Sequence, residues 1–256
     1  MIKDFTKDQK QTRMLKLAQS ELLSKCSGIE HGVYLGPRKP YFTRDENDHA
    51  AVDVKGLFEY LELPKYHALA VGEQEHTDNI FVLKNAVTGD IKSPNTDALI
   101  TNQKKTHLLV TTADCLPVLI YDQKNRVIAA IHSGWSGIIK KIVVKTLERM
   151  ATEFGSQKED FIIYIGPSIG PCCYAVDDEE RLSLFDKEYK NLKEKNGRRY
   201  IDLWDSIEQD LLKFGIKKEN IENQRICTAC NEAMLPSHYR EQGQRKNNII
   251  SMISMI

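Results

Sequence analysis

The sequence predicts a strand-rich α/β or α+β layered domain, on three observations. First, the runs Leu108–Thr112, Leu116–Tyr121 and Val127–Ile131 follow one another closely, each nearly continuous in apolar residues. Strands buried on both faces read this way. Second, Ile138 to Phe154 places Ile138, Ile139, Ile142, Val143, Leu147, Met150, Ala151 and Phe154 at helical spacing, and Gly155 closes the stretch. Third, from about residue 30 onward there is no repeat, low-complexity tract or Pro/Gly/Ser linker, so the strands and helices belong to one layered unit.

The remaining elements follow in chain order. Residues 8–25 cluster Met14, Leu15, Leu17, Ala18, Leu22 and Leu23 on one side, which predicts a helix ended by Gly28 and an N-terminal helical extension over about residues 1–28. Residues 36–50, with Pro37 and Pro40, read as loop, and 52–62 as a short helix stopped by Pro64. Ile80–Leu83 and Phe161–Ile165 read as strands, and residues 203–214 as an amphipathic helix closed by Gly215. Ile249–Ile253 reads as a buried terminal strand.

Composition bounds the function. The chain has 256 residues, 36 Lys+Arg against 36 Asp+Glu, and zero formal net charge. No basic excess is available to neutralise phosphates along a duplex, so a nucleic-acid partner is not expected. At 41% hydrophobic and 28% charged residues, the composition is that of a globular chain able to bury a core without staples. The polar N-terminal segment has no signal-like apolar core, and no run approaches the ~18 apolar residues of a membrane span. A cytoplasmic protein without a membrane partner is expected, its six cysteines reduced thiols.

Candidate chemistry sits at element ends, where functional side chains are held by a rigid scaffold. Cys115 closes Thr112-Ala113-Asp114-Cys115 between two strands; His132 opens His132-Ser133-Gly134-Trp135 before the long helix; His76 lies in Gln74-Glu75-His76 before the Ile80–Leu83 strand. One thiolate and two imidazoles can ligate zinc and leave a fourth position open. From spacings of 39 and 17 residues alone, a core thiol and two hydrogen-bonding histidines are the favoured reading. Unpaired backbone N–H groups at the helix start, with Gly134 and Gly137 permitting close approach, suggest an anion cradle, against a plain strand-to-helix turn. Ile165 to Tyr174 is a Gly- and Pro-punctuated loop whose Cys172 and Cys173 read as structural. Cys227-Thr228-Ala229-Cys230 has the form of a zinc or redox half-site, but no second such pair lies nearby in sequence, and a buried thiol pair is favoured.

The blocks Thr112–Val118, His132–Trp135 and Gly166–Tyr174 resemble the signatures of the YfiH family, also called the laccase-domain or multicopper polyphenol oxidase family, whose members are purine nucleoside phosphorylases. Gln74–His76, Asp97–Thr101 and Cys227-Thr228 resemble further family blocks, and the likeness covers roughly residues 30 to 250. The resemblance implies a single α/β/β/α domain with a cysteine-hydrolase-like fold. It implies a zinc site at His76, Cys115 and His132, with copper as the other metal considered. It further implies phosphorolysis of adenosine, inosine, guanosine and methylthioadenosine, with adenosine deamination besides. Purine nucleosides and phosphate are then the partners, and the protein a monomer or homodimer.

Several positions depart from the family pattern. Ser136 stands where the family carries a basic residue, with Lys140 or Lys141 as substitutes on the next turn; Thr77 replaces a Gly; and Ser237-His238-Tyr239-Arg240-Glu241 keeps one of two arginines, with Arg245 a loose match for a later one. Arg240 is the candidate phosphate ligand, alongside Ser133 and Gly134. Asp114 or Glu75 is the candidate proton carrier of a deaminase. Two other mechanisms stand beside these: a cysteine hydrolase with Cys115 as nucleophile and His132 as base, and a copper phenol oxidase, for which seven histidines are few. A non-enzymatic purine-binding protein is the fourth reading.

Overall fold

In the computed structural model, residues 16–37, 42–44, 50–52, 68–232, 235–244 and 247–256 are described. The three central apolar runs become β9 (Thr106–Thr112), β10 (Leu116–Asp122) and β11 (Val127–Ser133). β10 and β11 form an antiparallel hairpin running from Leu116↔Ser133 to Asp122↔Val127. The Asp122 carboxylate accepts the Lys124 and Asn125 N–H groups and closes its turn. β9 belongs to a different sheet, so the short link between β9 and β10 crosses from one sheet to the other.

Among the described residues two six-stranded sheets result, beside a small hairpin of β13 (Lys193–Lys195) and β14 (Arg198–Tyr200). The first has β12 (Phe161–Ile165), β8 (Ala98–Thr101), β6 (Ile80–Leu83) and β15 (Ile221–Asn223) around the hairpin, in the order β15-β12-β10-β11-β8-β6. The second contains β1 (Lys16–Ala18), β2 (Ile29–Pro37), β5 (Ala68–Gly72), β7 (Gly89–Ser93) and β16 (Asn247–Met255), in the order β1-β2-β16-β9-β5-β7. The expected terminal strand is thus an interior strand, paired with both β2 and β9.

The continuous apolar runs are explained by burial on both faces, although the central strands are antiparallel. Leu119, Tyr121, Ile128 and Ala130 point between the sheets, against Leu108, Val110, Ile249 and Ile253. Their neighbours Val118, Ile120, Ala129 and Ile131 point the other way, toward a helical layer. Each large side chain so buried contributes about 1.5–3 kcal/mol. That layer contains α1 (Trp135–Ile139), α2 (Ile142–Phe154), α3 (Glu179–Tyr189) and α4 (Leu203–Phe214). The described residues thus form helix, sheet and sheet, three of the four expected layers.

Three expectations are corrected. Within residues 16–25, the predicted helix is instead β1 and a short 3-10 turn, Leu23–Lys25. Pairing with β2 and burial of Leu17 and Leu23 in the inter-sheet core override the helical spacing. The expected loop at 36–50 contains the end of β2 and a small hairpin, β3 (Phe42–Arg44) with β4 (Ala50–Val52). The helix expected at 52–62 lies, after Val52, outside the described residues.

The third correction is the long helix, which is broken between α1 and α2. Lys141 adopts the left-handed region (φ 63°, ψ 37°), a conformation costing an L-residue about 1–2 kcal/mol. Its ammonium offsets this by donating to Asp210 Oδ1 and the Tyr189 hydroxyl, each at 2.8 Å, and pairing with Glu188. α4 forms as predicted, capped by Asp202 accepting from the Asp205 N–H and closed by Gly215 at φ 101°.

Candidate functional site

The crossing from β9 to β10 aims Cys115. Asp114, just before it, has φ 90°, and its strain is offset by four hydrogen bonds. Its carboxylate accepts from Thr228 Oγ1 (2.5 Å), Ser237 Oγ (3.1 Å) and the Tyr239 N–H (2.6 Å), and its carbonyl from the Ile169 N–H (2.9 Å). Asp114 is buried and fully occupied in tying three loops beneath Cys115.

His76 is brought in by the segment before β6. The Gln74 amide donates to the Thr111 carbonyl (2.7 Å) and accepts the Thr111 N–H (2.8 Å), copying a strand's pairing to β9. Asp97, immediately before β8 and only 1% exposed, accepts the backbone N–H groups of Glu75, His76 and Thr77 and the Thr77 hydroxyl. The same carboxylate lies 2.7 Å from His132 Nδ1, while the Asp97 carbonyl accepts the His132 N–H. Asp97 therefore takes the proton-bearing Nδ1 of His132 and leaves Nε2 as a lone-pair donor.

The three predicted ligands converge. The ligand atoms of His76, Cys115 and His132 all lie within 4.8 Å of one another, with Cys115 Sγ and His76 Nε2 3.6 Å apart. A tetrahedral zinc with ordinary bond lengths places sulfur and nitrogen about 3.6 Å apart. The rings meet nearly edge-on, at 78°. A Cβ on Gly134 would stand 2.7 Å from His76 Cδ2 and 3.0 Å from Cys115 Sγ, so glycine is what lets the triad close. The donor set, its spacing and this cradle all fit a metal ion. His132 is buried, Cys115 half-buried and His76 exposed, so the centre opens on the His76 side.

Charge supports the same geometry. Burial pushes the Cys115 thiol up, but His132 and then His76 outweigh it and bring it to about 6. Burial pushes His132 down, and the Cys115 thiolate and Asp97 outweigh that, raising it to about 10. Burial likewise raises Asp97, while His132 and Thr77 lower it further, leaving it below the usual carboxylate range.

The family model described as multi-copper polyphenol oxidoreductase laccase matches residues 23–256. The chain belongs to this laccase family. A protein of Bacteroides thetaiotaomicron named purine nucleoside phosphorylase is 44% identical over 218 residues, 80% of each chain. The crystal structure of YlmD from Geobacillus stearothermophilus has a TM-score of 0.78 at 22% identity, covering 97% of this chain and 98% of that one. That of the Bacillus licheniformis hypothetical protein YfiH has a TM-score of 0.76 at 24% identity, covering 96% and 97%. These two structures show the shared mixed α/β fold.

In this laccase-family chain the anion-binding expectations are redistributed. α1, at whose start the anion cradle was expected, is only five residues long, and Gly134 at its N-cap makes room for His76 and Cys115. Ser133 is wholly buried at the end of β11. Arg240 donates to the carbonyls of Thr228 (2.9 Å), Ala229 (3.2 Å) and Leu235 (2.8 Å) and pairs with Glu241, so its guanidinium holds the chain around it. Lys141 is held by Asp210, Tyr189 and Glu188, away from the triad. Lys140 instead reaches the His76 carbonyl at 3.2 Å, which the Ser136 hydroxyl also contacts, at 3.0 Å. Arg245 lies outside the described residues.

Sequence reasoning missed Asp97 as a buttress and missed Arg181. The Arg181 guanidinium stacks 4.2 Å over the ring of Trp135 and donates to the Tyr174 hydroxyl at 3.1 Å. Burial raises the Tyr174 hydroxyl above its ordinary value, and the neighbouring Arg181 guanidinium opposes that only in part. The signal for Asp97 was its place at the head of a matched block; Arg181, inside an ordinary helix, carried none.

Proposed function

We propose that the chain is a zinc-dependent purine nucleoside phosphorylase. It converts adenosine, inosine, guanosine or methylthioadenosine, with phosphate, to free base and ribose 1-phosphate, and it deaminates adenosine at the same centre. The observation that carries this reading is the His76–Cys115–His132 triad braced by Asp97, in a chain 44% identical to a protein named purine nucleoside phosphorylase.

Phosphorolysis exchanges the C1′–N9 bond for a C1′–O bond to phosphate; the purine leaves with the bonding pair and takes up a proton. His76, Cys115 and His132 would hold the zinc, which when bound supplies a Lewis acid and lowers the pKa of a water ligand. Asp97 fixes the His132 tautomer and the His76 backbone. Lys140, which reaches the His76 carbonyl, is the cation assigned to phosphate, in place of the basic residue that Ser136 replaces. Glu75, exposed beside His76, is the carboxylate free to move a proton during deamination. Asp114, saturated with hydrogen bonds, positions Cys115.

One observation favours a second reading. The Cys115 thiolate facing His132 is also the pairing of a cysteine hydrolase. The decisive experiment incubates zinc-quantified protein with adenosine, with and without phosphate, and separates the products; Cys115→Ala runs alongside. Adenine and ribose 1-phosphate formed only with phosphate, and lost in the variant, are expected. Inosine formed without phosphate reports the deaminase. No product from protein with zinc at the triad overturns the nucleoside reading, and activity that rises on chelation selects the hydrolase.

A further inference from the structure

The loop Gly166–Tyr174 and the turn that follows β15 meet at four sulfurs. Cys172, Cys173, Cys227 and Cys230 place all their Sγ atoms within 4.8 Å of one another. Cys230 Sγ lies 3.3 Å from Cys172 Sγ and 3.2 Å from Cys173 Sγ. Cys227 Sγ accepts the Gly170 N–H at 3.2 Å. All four are free thiols, and only Cys227 is buried. The thiol pair expected at Cys227-x-x-Cys230 is thus one half of a four-cysteine cluster whose other half comes from more than fifty residues earlier.

We infer that Cys172, Cys173, Cys227 and Cys230 hold a second metal ion, a closed four-thiolate zinc separate from the His76–Cys115–His132 centre. A disulfide joins one sulfur to one partner, yet Cys230 faces two at nearly equal distance, and the fourth sulfur completes the set. Four sulfurs around one zinc stand about 3.8 Å apart; the two contacts of Cys230 are somewhat shorter than this, and every separation among the four stays within 4.8 Å. An N–H donated to sulfur, as from Gly170, stabilises a thiolate. The backbone is already prepared: Ser168 and Cys227 form a parallel bridge, with Ser168 N–H donating to the Ile226 carbonyl and Thr228 N–H to the Ser168 carbonyl.

The consequence reaches the triad. Thr228, next to Cys227, donates to the Asp114 carboxylate, and Asp114 precedes Cys115. Zinc at the four cysteines staples the two loops that hold the β9–β10 crossing in its strained conformation. The inference is independent of the nucleoside reading, because metal content is read without any activity.

The test prepares the full chain under reductant, loads it with zinc, removes excess and counts metal per chain. Two zinc ions are expected for the native chain, one for Cys230→Ser, one for Cys115→Ala and none for the double variant. Zinc-edge X-ray absorption of Cys115→Ala should show four sulfur neighbours at about 2.3 Å. If Cys230→Ser does not fold, Cys172→Ser at an exposed position takes its place. A native chain that binds one zinc, lost in Cys115→Ala and retained in Cys230→Ser or Cys172→Ser, overturns the inference. So does recovery of a disulfide among the four cysteines from the reduced, zinc-treated protein.

Discussion

The Asp97 carboxylate stands 2.7 Å from His132 Nδ1 while accepting the backbone N–H of His76, so one buried side chain sets two of the three ligands of the candidate centre. Asp97→Ala should lower zinc affinity at this centre by about 10–100-fold, the usual consequence of losing an outer partner of a ligating histidine. Competition with a chromophoric chelator, taken as the difference from Cys115→Ala, measures it. An affinity within twofold of the native value would remove Asp97 from this role.

Gly134→Ala tests the cradle. The added methyl would stand 2.7 Å from His76 Cδ2 and 3.0 Å from Cys115 Sγ. The exposed His76 ring can swing away, so the cost in stability should be modest, about 1–3 kcal/mol. Zinc binding and phosphorolysis should each fall at least about tenfold, given how steeply such sites depend on ångström placement. Full activity with unchanged metal content would mean the triad tolerates a wider geometry.

Arg240→Ala and Lys140→Ala should separate. Arg240 bonds three carbonyls and Glu241, and its loss should cost about 1–3 kcal/mol in a urea melt with little change in the KM for phosphate. Lys140, beside the His76 carbonyl, should raise the phosphate KM several-fold while leaving stability within about 0.5 kcal/mol. The reverse pattern would return phosphate binding to Arg240.

Lys141→Ala should destabilise the chain by about 1–3 kcal/mol, because buried Asp210 would keep only the Tyr189 hydroxyl of the two contacts at its carboxylate. Lys141→Gly loses the same ion pairs but suits the left-handed backbone, and should recover about 1 kcal/mol of that loss. Equal melting of the two variants would show that this conformation carries no strain.

His107 links stability to pH. Burial in the second sheet lowers it to about 4 from an ordinary 6.5, so below neutrality the unfolded chain binds a proton that the folded one refuses. Stability from this group is complete above about pH 7 and is lost as pH falls from about 6.5 toward 4, up to about 3 kcal/mol in all. His107→Gln should lose about 1 kcal/mol less than the native chain between about pH 7.5 and 5.5 in paired urea melts. Parallel pH profiles would show that His107 does not titrate as its burial implies.

The legible parts of the fold were those whose burial is written into every residue. β10 and β11 are covered on both faces, so Leu116–Tyr121 and Val127–Ile131 are apolar throughout, and α4 has both a cap and a closing glycine. β1 was illegible because its few residues are decided by an edge pairing with β2. The break at Lys141 was illegible because it depends on Asp210, nearly seventy residues away.

His76, Cys115 and His132 were legible as candidates from their residue types at strand ends and from the blocks around them. That they share one centre was decided by tertiary structure: the β9–β10 crossing, the Asp97 carboxylate and the absent side chain of Gly134 bring their donor atoms together. Tertiary structure alone also joined Cys172 and Cys173 to Cys227 and Cys230, and turned Arg240 inward onto carbonyls. Apolar pattern and chemical type are properties of neighbouring residues and are written along the chain. Convergence of donor atoms, and the partner each charge finds, depends on segments far apart in sequence, and only packing of the two sheets and the helical layer determines it.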